Sequence, residues 1–225
     1  MDILYEPKDF PSLKLADFEM IYELLSKSTE DIVRVIKNYK ITVHDIRSLV
    51  PRQWVNDNII NGFCEILMAF QPKLIVFDSF LMNDLYAVDK PNDPRQHIDL
   101  TAIDFIATPI NKNNCHWVAA FINMNERNFL YYDPMGGDIS DNDFETLCGF
   151  IRKKTNNKIT KFKYINATRE LEFPTQDNDF DCGILIMNFL EQCAKQILFG
   201  CGSHHGEYLR YRAILQIATE EMLLL

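Results

Sequence analysis

Behind Cys182-Gly183 the chain runs ILIMNFLEQCAKQILF, hydrophobic nearly all round and too long for a strand. A helix with that pattern has no polar face to turn to water, so it belongs inside a domain. The other apolar segments supply what surrounds it. Residues 74–77, 103–109, 117–122, 129–132 and the alternating stretch 159–165 read as strands. Ile59, Ile60, Phe63, Cys64, Leu67 and Phe70 form one helical stripe, with Asn56 or Asp57 as its cap. Helical spacing recurs over 140–153 and from about Glu207 to Leu224. Phe18, Ile21, Leu24 and Leu25, followed by Ile32, Val33, Val35 and Ile36, read as two short helices or one kinked helix. Residues 1–14 read as an extended arm lying on the domain, and the polar stretch 83–99 as a loop. With no internal repeat, the pattern is an α+β domain built round a central sheet.

Composition narrows the function classes. At 225 residues, 47% of them hydrophobic, the chain can bury a sizeable core without a disulfide or metal staple. A formal net charge of −9 argues against nucleic acid or an acidic membrane as partner, because both are recruited by clustered Lys and Arg. No stretch approaches the roughly 18 to 20 apolar residues of a membrane span, and the start, MDILYEPKDF, is acidic where a secretory signal would be basic and then apolar. The six cysteines mostly sit inside apolar runs, which suits reduced thiols and a nuclear or cytoplasmic protein. The sequon at Asn166 is then expected to be unused.

Two apolar runs flank the polar turn 123–128 as in an antiparallel hairpin. A turn centred on Met124-Asn125 sets His116 opposite Asp133, with Cβ atoms about 4.5–5.5 Å apart, within reach of an imidazole-to-carboxylate hydrogen bond. Such a carboxylate fixes the ring tautomer and stabilises the imidazolium; a purely structural contact would have the same spacing. Cys182 follows Gln176-Asp-Asn-Asp-Phe-Asp181 and opens the buried helix, with Asp179 or Asp181 available as cap. A helix N-terminus favours thiolate, and a neighbouring imidazolium favours it further, whereas the adjacent carboxylates oppose it. The alternative is a small buried hydrophobe, the reading that also fits Cys64, Cys148 and Cys193.

Four blocks in order carry a family resemblance: Trp54-Val-Asn-Asp57 with Ile59-Ile60-Asn61; His116-Trp117; Tyr131-Tyr132-Asp133-Pro-Met-Gly-Gly137; and Pro174-Thr-Gln176-Asp-Asn-Asp-Phe-Asp181-Cys182-Gly183. Over roughly residues 40 to 225 the chain resembles the SUMO-specific Ulp/SENP cysteine proteases. The resemblance implies a papain-like (clan CE) cysteine protease fold, α+β, with a central mixed sheet flanked by helices. Residues 1–39 are then an N-terminal arm and helices packed on a 40–225 protease domain. It further implies Cys182 as nucleophile, His116 as general base and acid, Asp133 as the group orienting His116, and Gln176 as an oxyanion-hole donor beside the Cys182 backbone N–H. Trp54 and Trp117 would wall a channel admitting only glycines, and Asp57 would contact the modifier.

The activity so implied is cleavage after the C-terminal Gly-Gly of SUMO or a related ubiquitin-like modifier. It would serve deconjugation and precursor maturation through a thioester, in a monomer needing no metal or organic cofactor. Departures from the family pattern are Val55, Pro134, the Asp-Asn-Asp-Phe180 run and the 83–99 segment. The alternatives are a protease for ubiquitin or another modifier, an acetyltransferase on the same fold, or a non-catalytic modifier-binding module. A zinc site on Cys193, Cys201, His204 and His205 is a further alternative, though one without two close-spaced ligand pairs.

Overall fold

A computed structural model describes residues 11–86, 98–197 and 202–223. Five strands form one mixed sheet: β3 (Leu74–Val76), β4 (Phe105–Lys112), β5 (His116–Asn123), β6 (Asn128–Tyr132) and β7 (Lys163–Asn166), in that spatial order. The outer pairs are parallel and the two inner pairs antiparallel. β5 is buried on both faces, which is why it reads as a continuous apolar run.

Its alternation sorts the two cores. Trp117, Ala119 and Phe121 face a layer containing α3 (Asp57–Phe70), α7 (Cys182–Lys195) and α8 (Gly206–Thr219), while Val118, Ala120 and Ile122 face α4 (Leu81–Tyr86) and α5 (Asp141–Lys154). α7 is buried along almost its whole length, as its sequence requires. Among its buried polar residues is Glu191, bidentate to Arg212 of α8 at 2.5 and 2.6 Å and bonded to Lys195 at 2.6 Å. Attraction and desolvation oppose one another in such a pair, so its firmest consequence is a fixed register between α7 and α8.

The N-terminal segment departs from expectation. α1 (Leu15–Ser26) is a helix, but the apolar positions after it form a hairpin, β1 (Ile32–Ile36) with β2 (Tyr39–Thr42), not a second helix. The β-branched run Ile-Val-Arg-Val-Ile favours extended backbone, and Lys37 takes φ +48° at the turn. Ile21, Leu24, Ile36 and Ile41 join the same core as α7 and α8. The short helix α2 (Val43–Arg47) follows, capped by Thr42. Most of the arm 1–14, most of the loop 83–99, and Cys201 lie outside the described residues. Asn83 to Tyr86 belong to α4 rather than to a loop.

Other boundaries differ in detail. Residues 159–162 precede β7 instead of belonging to it, and the short helix α6 (Ala167–Glu170) follows it, capped by Asn166. The buried Asn166 side chain also bonds Gly137 O and Asp138. Among the described residues no helix is long and apolar enough to cross a membrane.

Two polar hubs fix the loops near the start of α7. Asp45 accepts from Thr42 on one oxygen and from Asn56 and Asn58 on the other, which holds the turn leading into α3. Asn61 and Ser79 bond reciprocally, at 3.1 and 3.0 Å, and tie α3 to the segment carrying Phe80. Asn56, whose side chain accepts from the Ile59 N–H at 3.0 Å, is the cap of α3.

Candidate active site

His116 opens β5 and Asp133 follows β6 directly. Nε2 of His116 lies 2.7 Å from Oδ1 of Asp133. The contact expected from the hairpin is present, but its register is different. The ladder pairs Ala119 with Tyr132 and Asn123 with Asn128, so the turn centres on Asn125-Glu126 and Asp133 sits diagonal to His116. Asn123 is the cause: its side-chain oxygen accepts from the N–H groups of Asn125 and Glu126, and Arg127 takes φ +57°, making a four-residue loop. Shifting the register by two leaves the same residues on the same face, so the pair still meets.

The carboxylate is held on all sides. The Met135 N–H donates to Oδ1 at 2.8 Å, Lys112 Nζ lies 3.7 Å from Oδ2, and a Cβ at Gly137 would stand 2.5 Å from Oδ2. Gly137 therefore excludes a side chain where the carboxylate needs room. Burial works against ionisation of Asp133. The bonds from His116 and Met135 and the charges of His116 and Lys112 outweigh it and keep the carboxyl below its usual range.

Cys182 is the first residue of α7, so its backbone N–H is one of the unpaired donors at the helix start. Asp181, one of the two residues available as cap, occupies the cap position without making a cap hydrogen bond. Its carboxylate turns instead to Arg210 of α8, which donates from Nε and one terminal nitrogen at 3.1 and 2.8 Å. Arg210 is 1% exposed and donates also to the carbonyls of Phe180 and Val50. This arginine locks the two residues before the cysteine. Nothing in its amphipathic helix pattern distinguished it from a solvated arginine. Its guanidinium also lies over the Phe180 ring at 5.8 Å, which gives that bulky residue a place outside the cleft.

His116 stands between Asp133 and Cys182. Its Nδ1 is buried and has no hydrogen-bond partner, and Cys182 is a close enough neighbour to raise the proton affinity of the ring. Burial lowers the imidazole's affinity for a proton. The hydrogen bonds and charges of Asp133 and Cys182 more than reverse that, lifting the pKa to about 9.

Cys182 lines a cleft of about 340 Å³ together with Trp54, Trp117, Asp57, Phe80 and Asn111. Trp117 is buried and donates its indole N–H to Val55 O at 2.9 Å, whereas Trp54 is 53% exposed. Asp57 is exposed at the first turn of α3. Gln176 is anchored by its own N–H to Pro134 O at 2.7 Å, and its side-chain amide donates to Asn178 O at 2.6 Å. Its side-chain oxygen is buried without a partner. Gln176 and His116 are not among the residues that line the cleft. Lys112, Gly137 and Arg210 escaped sequence reasoning. The two glycines after Asp133 were the only written signal, since their significance lies in what a Cβ would strike. Among the described residues no cluster of three or more His, Cys, Asp or Glu side chains could hold a metal, and the Cys193 thiol is buried within α7.

A thiol at a helix start facing a carboxylate-held imidazole on a mixed sheet is a papain-like cysteine protease fold of the α+β class. The chain belongs to the Ulp1 protease family: the model of that family's C-terminal catalytic domain matches residues 53–221. Ubiquitin-like-specific protease 1 of Saccharomyces cerevisiae is 28% identical over 189 residues, covering 80% of this chain and 30% of the relative. A sentrin-specific protease of Caenorhabditis elegans is 23% identical, covering 82% of this chain and 28% of its own length. The chain thus spans about a third or less of these curated relatives. The C-terminal Ulp1 protease domain solved in complex with Smt3, the yeast ortholog of SUMO, superposes with a TM-score of 0.84 at 22% identity, covering 95% of this chain and 98% of that one. The catalytic domain of a Chaetomium thermophilum Ulp1-like SUMO protease gives 0.80 at 17% identity, covering 97% and 95%.

Proposed function

We propose that this chain is a thiol isopeptidase that cleaves after the C-terminal Gly-Gly of SUMO, acting on conjugates and precursors. The observation that carries the reading is His116 bonded to Asp133 and neighbouring Cys182, which itself lines a cleft shared with Trp54 and Trp117. Family membership and the relatives' printed substrates support the modifier. The two indoles support it physically, since flat walls leave room for glycine and exclude a Cβ.

In this mechanism the Cys182 thiolate attacks the carbonyl carbon of the terminal glycine, and the C=O π electrons move onto oxygen. The Cys182 backbone N–H and the Gln176 side-chain amide receive that oxyanion. One N–H of the Gln176 amide is taken by Asn178 O, and the NH₂ group has a second to offer. His116 imidazolium gives its Nδ1 proton to the leaving lysine or peptide amine as the C–N bond breaks, leaving a Cys182–glycyl thioester. Neutral His116 then removes a proton from water, the hydroxide adds to the thioester, and the thiolate departs with the imidazolium restored. Asp133 stays ionised throughout, fixing the ring with Nε2 toward itself and Nδ1 toward sulfur.

Asp57, exposed on the cleft rim, and the 78–99 segment would meet the folded modifier. The same proposal takes residues 40–225 as the protease domain with 1–39 packed on it, working as a monomer in the nucleus or cytoplasm. Intact mass spectrometry tests it with SUMO and ubiquitin, each carrying a thiol-reactive electrophile in place of the terminal carboxylate. An adduct with SUMO alone, lost in Cys182→Ala, is expected. An adduct with ubiquitin instead would overturn the modifier, and retained turnover by Cys182→Ala would overturn the mechanism.

A further inference from the structure

Asp133 serves two cations, and the second has no part in the mechanism above. Lys112 is the last residue of β4 and pairs in register with His116, the first of β5. Its parity along β4 matches Ile106 and Ile110, that of His116 matches Val118 and Ala120, and that of Asp133 matches Phe129 and Tyr131. All three side chains therefore belong to one face at one end of the sheet. The lysine stem reaches past β5, with Nζ 5.3 Å from the centroid of the Tyr131 ring and 3.7 Å from Oδ2 of Asp133. His116 and the Met135 N–H both use the other oxygen, Oδ1.

We propose that Lys112 is a positioning residue of the site: its ammonium, held at Oδ2, loosens the grip of Asp133 on the His116 proton and so keeps the imidazolium able to release it to the leaving amine. The inference rests on the reading of His116 as acid and base for Cys182. Its physical content is a division of one negative charge between two cations. A carboxylate 2.7 Å from the ring strongly favours the imidazolium, and a general acid bound too tightly to its proton protonates the leaving group poorly. A fixed positive charge on the far oxygen subtracts from that preference.

The other groups facing the pair do not supply this. Cys182, on α7, acts on His116 in the same direction as Asp133, raising its affinity for the proton. Tyr131 and Tyr132 of β6 are neutral phenols, since burial and the nearby Asp133 charge push both far up. Lys112 is the cation that opposes them, and its side chain is 31% exposed, so its influence is partial.

The test follows the His116 ring signals by NMR through a pH titration, in the full chain and without substrate. Lys112→Met keeps the stem and removes the charge, and is expected to raise the His116 midpoint by about half a pH unit. Lys112→Arg is expected to leave it in place. In an Asp133→Asn background, Lys112→Met should move it far less, because the route through the carboxylate is gone. An unmoved or lowered midpoint in Lys112→Met would overturn the proposal, as would an equal rise in Lys112→Arg or in the Asp133→Asn background. None of these arms needs turnover. A failure of the isopeptidase reading would appear separately, as an unmodified Cys182 in the mass-spectrometric assay.

Discussion

Trp117 gives its indole N–H to the carbonyl of Val55 at 2.9 Å, and this one hydrogen bond joins the strand that carries His116 to the loop that carries Trp54. The acceptor lies in a buried residue, so losing its partner costs about 1–3 kcal/mol. Trp117→Phe keeps an aromatic wall but frees the loop. Turnover of a SUMO precursor is expected to fall about tenfold in kcat/KM, the equivalent of about 1.4 kcal/mol. Alkylation of Cys182 by iodoacetamide should change little, and equal loss in both assays would assign the residue to the fold instead of the channel.

Gly183 of α7 packs against Val55 and Trp117. A Cβ there would stand 2.7 Å from Val55 Cβ and 3.3 Å from Trp117 Cδ1. Gly183→Ala must therefore push Val55, and with it the Trp54 loop, away from α7, an overpacking cost of about 1–3 kcal/mol. Urea denaturation should read that loss of stability, together with an impaired turnover of SUMO. A variant as stable and active as the parent would mean that the loop yields freely.

Arg210→Met strands the buried Asp181 carboxylate and the Phe180 carbonyl, which take three of the arginine's hydrogen bonds. Removing one partner of a buried pair costs about 3–5 kcal/mol. The expected result in chemical denaturation is a loss of that size. Arg210→Lys should recover only part of it, because an ammonium cannot reproduce the two-nitrogen grip on Oδ1 of Asp181.

The pKa of about 9 at His116 sets a sign for the pH dependence of stability. The folded value lies above the ordinary 6.5, so the folded state holds this proton more tightly than the unfolded chain. The resulting stabilisation is full below pH 6.5 and disappears as pH rises through about 9. Differential scanning calorimetry of the parent and His116→Gln should show a Tm difference that is steady at pH 6 and shrinks between pH 7 and 10. A gap that widens over that window would contradict the His116–Asp133 coupling.

Much of the architecture could be read from pattern alone, because burial on one face or both writes itself into periodicity. The helix from Cys182, the Asn56 cap and the strand at 117–122 are cases where local preference and tertiary packing agree. Ile32 to Ile36 is the opposite case. Its spacing fits a helix, and only β-branching and the turn at Lys37 point to the hairpin. The hairpin at 123–128 was legible, while its register depended on the Asn123 side chain capturing two backbone N–H groups. Arg210 and Lys112 were hidden for a common reason. Long cationic side chains act at a distance from their own backbone, and spacing along a chain does not record where the stem ends.

The cleft is assembled from distant pieces: residues 54–57, 79–83, 111–117 and 182. The arginine that holds the approach to Cys182 comes still later, at 210. During synthesis on the ribosome, His116 and Asp133 emerge long before Cys182, and Cys182 emerges before Arg210. The site is therefore complete only once α8 has docked against the start of α7.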